Sequence, residues 1–485
     1  MLLLGVWLFD TSCQREPLSF APASQLAFST DTVFLDTVFH TIGSSTRILK
    51  VYNRSEDNVR VNRVRLGRGS ASFFRFNADG LEGPVAEGLE ILANDSAYVL
   101  IEVTPEVVND VELLYVDSLV FELGNGGLQW VNLVTLAKDA YFHLSDQWLD
   151  FGNGQGLAYF EVPCNAVWAA DKPHVVYGYA LVDSGCALTI EAKAEVHFHA
   201  GSGLWIYHGG RLAVDPNNLG SHDEPVVFQG DRLEPFYEDI PGQWGGPLGG
   251  IFLMGGSENN LIQNAIIKNS SIAVRLDSLD DPNPNVVLRN VRIFNSSRVG
   301  IYGGFGSLLA ENVVLSNSGL HHFYGLGGRY EFVHCTFANY WTQSGRNTPS
   351  LALLNFFEDG FGTVRTRDLR ACTFSNCIVD GSLVSELQIG RADGADLEYV
   401  FRYTALKAKN DPENFGYDLT DPARFQSMLI NADVEFLDVF NNHCDLDSAS
   451  PAIDLGNPAY AAPVPVDIRG RFRQGLPDLG AYEVR

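Results

Sequence analysis

Two observations make this an all-β chain. A short apolar unit recurs along its second half, and short strands of alternating polarity fill most of its first third. Together they predict a β-sandwich followed by a right-handed single-stranded parallel β-helix.

The recurring unit reads NAIIKN at Asn264–Asn269, NVRIFN at Asn290–Asn295, NVVLSN at Asn312–Asn317, HCTFAN at His334–Asn339 and ACTFSN at Ala371–Asn376. Its closing asparagines, Asn269, Asn295, Asn317, Asn339 and Asn376, lie 26, 22, 22 and 37 residues apart. A period of roughly 20–50 residues marks a solenoid. Each unit is too short for a strand plus a crossover helix. Its apolar residues alternate, as in Val291 and Ile293 or Val313 and Leu315, and Gly, Ser and Asn flank them, which is the signature of strands. Further short apolar runs, such as Ile251–Leu253 and Ile272–Val274, bring the coil to about three strands. Such a coil buries its inner face only against its neighbours. The closing asparagines are therefore expected to stack at one turn of every coil, because Asn tolerates left-handed backbone and its amide can bond the turn and the coil above. The 37-residue step implies an inserted loop near Thr342–Arg367.

Residues 25–138 follow a different grammar. Thr46–Tyr52, Val59–Leu66, Ala97–Val103, Ser118–Leu123 and Trp130–Ala137 alternate, and turn-rich stretches such as Asn53–Asn58 separate them. Short strands at that density indicate a sandwich. The strand order and the phrase Asn94-Asp-Ser-Ala-Tyr-Val-Leu-Ile-Glu-Val-Thr-Pro105 resemble immunoglobulin-like domains of the Hydin type. The resemblance implies a spacer or interaction module.

Residues 1–24 read as a leader and linker. An apolar segment, Met1–Phe9, is followed by small residues and Cys13, which resembles a bacterial lipoprotein signal peptide. That implies export, lipidation of Cys13 and attachment to the outer membrane by acyl chains, on its periplasmic or cell-surface side. Residues 139–186, with Trp148, Trp168 and Lys172–Tyr179, are expected to connect the domains and cap the first coil against aggregation. The coils are expected over 187–440, and 441–485 is expected to close the solenoid. The closing stretch reads Ser448-Ala-Ser-Pro-Ala-Ile-Asp454, Asp467-Ile-Arg-Gly-Arg471 and Pro477-Asp-Leu-Gly-Ala-Tyr-Glu483. With Gln229-Gly-Asp-Arg232 and Gly242-Gln-Trp-Gly-Gly246, it makes Trp168–Glu483 resemble right-handed β-helix lipoproteins of Bacteroidota, with a pectate-lyase-like solenoid. The resemblance implies fold and compartment and transfers no activity.

Composition narrows the partners. The chain of 485 residues carries 59 acidic against 33 basic residues, a formal charge of −26. That balance disfavours nucleic acid and anionic lipid, which need a basic surface. No apolar run reaches the length of a membrane-spanning helix, so membrane contact is expected only through the lipid anchor. Seven cysteines include no CxxC, so no zinc site is indicated, and no metal or cofactor is expected. Cys335 and Cys372 hold the same place in their units and are expected as neighbouring buried thiols, a disulfide between them being the alternative.

Parallel β-helices include polysaccharide lyases and glycoside hydrolases, which use Asp clusters to hold calcium or to act as acid and base. The candidates here, Asp277, Asp280 and Asp281, share one Pro-rich loop, and Glu358 and Asp359 precede a glycine in the insertion. All five read as solvated loop residues, so no catalytic residue is assigned. His321 and His322 in Leu320-His-His-Phe-Tyr324 are candidates for acid–base or ligand contact, with Tyr324 beside them. Sugars stack on flat aromatic faces, so Trp205, Trp244 and Trp341, with Tyr237, Tyr324 and Tyr340 nearby in sequence, are candidates for a shelf. Tyr340-Trp341 follows a ladder asparagine and Arg346 lies five residues on, an arrangement that offers an aromatic shelf with a basic clamp. The competing reading is that the rings pack the insertion onto the coil. Trp244, flanked by glycines, reads as a ring folded inward at a turn.

The expectation is a non-catalytic exported lipoprotein that presents a β-helix face to polysaccharide or to an outer-membrane protein. A lyase or glycosidase, and a structural component of an outer-membrane assembly or adhesion complex, are the alternatives.

Overall fold

The computed structural model describes residues 20–22, 25–106, 112–277 and 284–484. Cys13, Asp280 and Asp281 lie outside them. The chain divides into two compact units, Met1–Asp139 and Ala140–Arg485.

The first unit is a β-sandwich. One sheet holds Thr32–Phe39, Val59–Leu66, Val85–Ile91, Glu112–Glu122 and Leu128–Lys138, and the other centres on Arg47–Tyr52, Phe74–Ala78 and Ser96–Val103. Ser96–Val103 shows why: Ala97, Val99, Ile101 and Val103 are buried, while Tyr98 and Leu100 face out. The inward residues of both sheets meet in one core, as period-two alternation demands.

The second unit is a right-handed β-helix of three parallel strand stacks. A first sheet runs from Ala166–Trp168 to Phe425–Gln426, a second from Tyr141–Leu144 to Leu429–Ile430, and a third from Gln155–Glu161 to Leu387–Gly390. Coils therefore begin ahead of residue 187. Tyr179–Val182 already pairs in parallel with Gly203–Ile206, and His174–Tyr177 with Glu195–Phe198. The stretch expected as a cap is solenoid, and only Gln147–Gly152 runs antiparallel at its end. Cys164 and Cys186, one coil apart in register, form a disulfide. The interior is one continuous apolar column. Phe332, Phe374, Phe401 and Phe425 stack through it at 4.8, 4.5 and 5.6 Å.

The corner between the first and second sheets has no loop. In Asn260–Lys268, Val286–Ser296 and Ser307–Ser318 one strand serves both sheets. It turns at a single left-handed residue, Asn264, Asn290 or Asn312, with φ of 48°, 54° and 51°. Asn pays little of the steric penalty that other side chains meet there. The amides bond vertically: Asn290 Nδ2 donates to Asn264 Oδ1 at 3.1 Å, and Asn312 Nδ2 to Asn290 Oδ1 at 3.0 Å. Asp215 Oδ2 receives Asn264 Nδ2 at 2.7 Å below them.

This opening column, not the closing one, is the bonded ladder. Asn269, Asn295, Asn317 and Asn339 do align coil on coil. Their amides bond other partners: Asn269 reaches Glu238 O, Asn295 reaches Asp239 Oδ1, Asn317 reaches Asn442 Oδ1, and Asn339 Oδ1 accepts from Ser318 N. Asn376 belongs to the opening column. It follows His334 in register, while Gly381 lies opposite Asn339. The motif ACTFSN ends where its relatives begin, because the strand after the corner is CIVDG. The same slip displaces the cysteines: Cys335 lies beside Cys377, whose sulfur accepts its backbone N–H at 3.4 Å, and Cys372 opposes Tyr330. All three are free buried thiols.

The C-terminal stretch, expected to close the solenoid, packs along its side. It folds back along the corner and the outside of the second sheet. Ile468, Ala481 and Tyr482 pack on Val314 and Ala338. Arg473 Nη2 donates to Asn312 Oδ1 at 2.8 Å, and Asn457 brackets the Asn376 amide from both sides.

His334 links this segment to the ladder. Gly480 O can only accept, so Nδ1 carries the proton toward it at 3.1 Å, and Nε2 accepts from Asn376 Nδ2 at 3.0 Å. Burial, reinforced by Arg473, holds the His334 pKa well below its ordinary value. The unfolded chain therefore takes up a proton below about pH 6.5 that the fold refuses, and stability falls with pH by up to about 1.4 kcal/mol per unit for each such imidazole. Replacing His334 with Asn, the residue used elsewhere in the column, is expected to make denaturant-measured stability less steep between pH 7 and pH 5. An unchanged slope would show that His334 does not carry this dependence.

Candidate functional site

Strands of the third sheet share one inward position and alternate from there onward. Leu204, Ile251, Val274, Ile301 and Phe323 point inward and are fully buried. One residue further on, Trp205, Phe252, Arg275, Tyr302 and Tyr324 occupy one outward row, each opposite the next across successive coils; Phe252 is buried and the other four are half-buried. Outward positions of a sheet facing water are usually polar, so four aromatic rings in one file are a departure that needs a cause.

The row is continuous. Tyr302 and Tyr324 stack with centroids 5.3 Å apart and planes 8° from parallel. Arg275 places its guanidinium carbon 5.7 Å from the Tyr302 centroid and 4.9 Å from that of Phe252, within cation–π range. Asp277 lies 4.0 Å from the same guanidinium. Trp205 meets Tyr207 and Tyr159 edge-on at 5.8 and 6.1 Å. Burial raises the pKa of both Tyr302 and Tyr324; a phenol is protonated at neutral pH in any case, so both hydroxyls can donate.

The other faces differ. The second sheet is overlaid by the C-terminal segment around Val314 and Ala338. The first carries charge, with Arg289 and Glu311 paired at 2.7 Å on neighbouring coils.

The six residues singled out in the sequence do not share one site. Tyr324 joins the outward row. His321 bonds Pro349 O at 2.7 Å through Nδ1 and leans on Tyr324 with centroids 5.4 Å apart, and burial lowers its pKa. His322 is fully buried, and burial drives its pKa well below normal. It is an interior residue, not a surface acid or base. Tyr340 donates to Asp380 Oδ2 at 3.0 Å and packs against Phe436. Trp341 is half-buried, its Nε1 bonded to Ser344 Oγ at 3.0 Å within its own loop.

Arg346 is not a clamp for a ligand. Its side chain and that of Glu386 are 1% and 0% exposed, and they pair in parallel at 2.7 and 2.8 Å. Its remaining guanidinium bonds go to Asn339 O, Thr348 O and Ser382 Oγ, while Glu386 also accepts from Ser350 N and Leu383 N. The pair locks the inserted loop onto the coil. Removing one partner of a buried pair strands the other charge at a cost of about 3–5 kcal/mol. Arg346→Ala is therefore expected to lower unfolding free energy by about that much. A loss below about 1 kcal/mol, typical of an exposed pair, would contradict the burial.

Asp359 bonds Arg365 at 2.9 Å in a hairpin of Phe356–Glu358 and Val364–Thr366. Among the described residues no group of three or more His, Cys, Asp or Glu could hold a metal ion, and no helix is long and apolar enough to cross a membrane. Sequence reading missed Phe252, Arg275 and Tyr302 as partners of Tyr324. The available signal was their shared position one residue after the inward residue in Ile251–Leu253, Ile272–Asp277 and Val299–Gly304.

Comparison with known proteins agrees with the architecture. A family model described as right handed beta helix region matches residues 176–337. No curated protein matches the chain. Among solved structures, an ASH/PapD-like domain of human CEP192 is 10% identical, covering 27% of this chain and 96% of its own with a TM-score of 0.17. A family 123 glycoside hydrolase from Clostridium perfringens is 12% identical, covering 23% of this chain and 26% of its own with a TM-score of 0.16. At those scores neither likeness bears on activity.

Proposed function

We propose that the chain is an exported, lipid-anchored, non-catalytic protein that binds polysaccharide on the outer face of the third sheet. The observation that carries this reading is the in-register file of Trp205, Phe252, Arg275, Tyr302 and Tyr324. Such a ridge joins apolar ring edges to hydroxyl donors, the mixture that a sugar's C–H surfaces and hydroxyls require. The strands that carry it contain one carboxylate, Asp277, whereas acid–base glycoside hydrolysis uses two. The Cys164–Cys186 disulfide supports export, since disulfides persist in oxidising compartments. The lipoprotein-like leader ending at Cys13 supports an anchor there.

Native affinity gels containing soluble polysaccharides test the reading. At least one polymer is expected to retard the protein. Trp205→Ala and Tyr302→Ala should each weaken retention roughly two- to tenfold, the worth of one aromatic contact at about 0.5–1.5 kcal/mol, in variants whose far-ultraviolet circular dichroism matches that of the unmodified protein. Retention by no polymer, or full retention by both variants, would overturn the assignment. Release of new sugar ends during incubation would favour a lyase or hydrolase instead.

A further inference from the structure

We infer that the ligand is an uncharged, unbranched polysaccharide lying along the solenoid axis, with its backbone following the aromatic file from Trp205 to Tyr324. This rests on the proposed function and specifies its substrate.

The direction comes from how the rings are used. Tyr302 and Tyr324 turn their faces toward each other, 5.3 Å apart and nearly parallel. Those faces are occupied, so a sugar cannot stack on them from outside. What the pair presents outward is ring edges and hydroxyls on two successive coils, preceded in the same row by half-buried Arg275 and, beyond buried Phe252, by half-buried Trp205. Successive coils of a parallel sheet advance about 4.8 Å, comparable to the advance of one pyranose in an extended chain. A polymer along the axis therefore meets a partly exposed ring or guanidinium on four of the five coils, whereas one crossing the sheet meets one coil. The file also has ends. The register continues to Leu181 on one side of Trp205 and to Ala352 beyond Tyr324, aliphatic side chains with neither ring nor hydroxyl. Four coil steps separate Trp205 from Tyr324, a footprint of about 19 Å.

The charge class comes from the state of the cation. Arg275 is the file's one guanidinium. It is held between the rings of Phe252 and Tyr302 and faces Asp277 at 4.0 Å, so its charge is already offset. Around it the chain carries a formal −26, whose field opposes the approach of a polyanion. A neutral polymer escapes that repulsion and still uses the hydroxyls.

The test uses the full chain. β-Glucan, mannan and galactan are compared with polygalacturonate and alginate in affinity gels, and oligosaccharides of the retained polymer, from disaccharide to hexasaccharide, are titrated calorimetrically. The expected result is retention by a neutral polymer and affinity that rises about tenfold or more from disaccharide to pentasaccharide, then levels off. Trp205→Ala and Tyr324→Ala should each weaken hexasaccharide binding, because a long ligand spans both positions. Retention only by the acidic polymers would overturn the charge class while leaving polysaccharide binding intact. Equal affinity for disaccharide and hexasaccharide would overturn the axial run. Retention by none of the five would defeat the inference together with the function beneath it.

Discussion

The second unit depends on one backbone constraint. Each central coil turns from the first sheet to the second within a single residue, and that residue must adopt the left-handed conformation. Asn264, Asn290 and Asn312 do so, and Asn is among the few residues for which that conformation is accessible. Because the corner leaves no loop to absorb a slip, each coil lies over the last at a fixed register. The amide bonds from Asn312 to Asn290 and from Asn290 to Asn264 add a vertical tie at the same place. A slip of one residue would turn the inward Ile293 and Leu315 outward.

The fixed register creates the surface on the opposite side. With the corners aligned, every third-sheet strand presents the same position outward, and Trp205, Phe252, Arg275, Tyr302 and Tyr324 fall into file. The three sheets then meet different fates. The second is overlaid by the C-terminal segment, which engages the ladder through Asn312, His334 and Asn376. The first carries cross-coil ion pairs. The third is left with an aromatic ridge, and that asymmetry is why the proposed binding function is assigned to it.

The solenoid was legible because its cause is local: an apolar strand followed by Asn, repeated at near-constant intervals. Trp244 was legible for the same kind of reason. Its glycine neighbours let the ring turn inward, where it stacks 4.3 Å from Phe198. Which asparagine column bonds was not legible, since both flank the same strand and only the corner geometry distinguishes them. The Arg346–Glu386 lock joins residues forty positions apart across an insertion, a contact without local trace. The Cys164–Cys186 pairing did leave one. Its separation of 22 residues equals the step from Asn290 to Asn312, so the two cysteines sit one coil apart. The aromatic file was hidden because its members are single residues in separate strands, and alignment by coil is needed before they form a row.

A double-mutant cycle on Asn290→Ala and Asn312→Ala, read by denaturant unfolding, tests the ladder most directly. If the amides tie adjacent coils at the corner, the two losses are coupled by about 0.5–3 kcal/mol. Losses that add to within about 0.3 kcal/mol would mean that the column is stacked but not bonded, and that the corner alone sets the register.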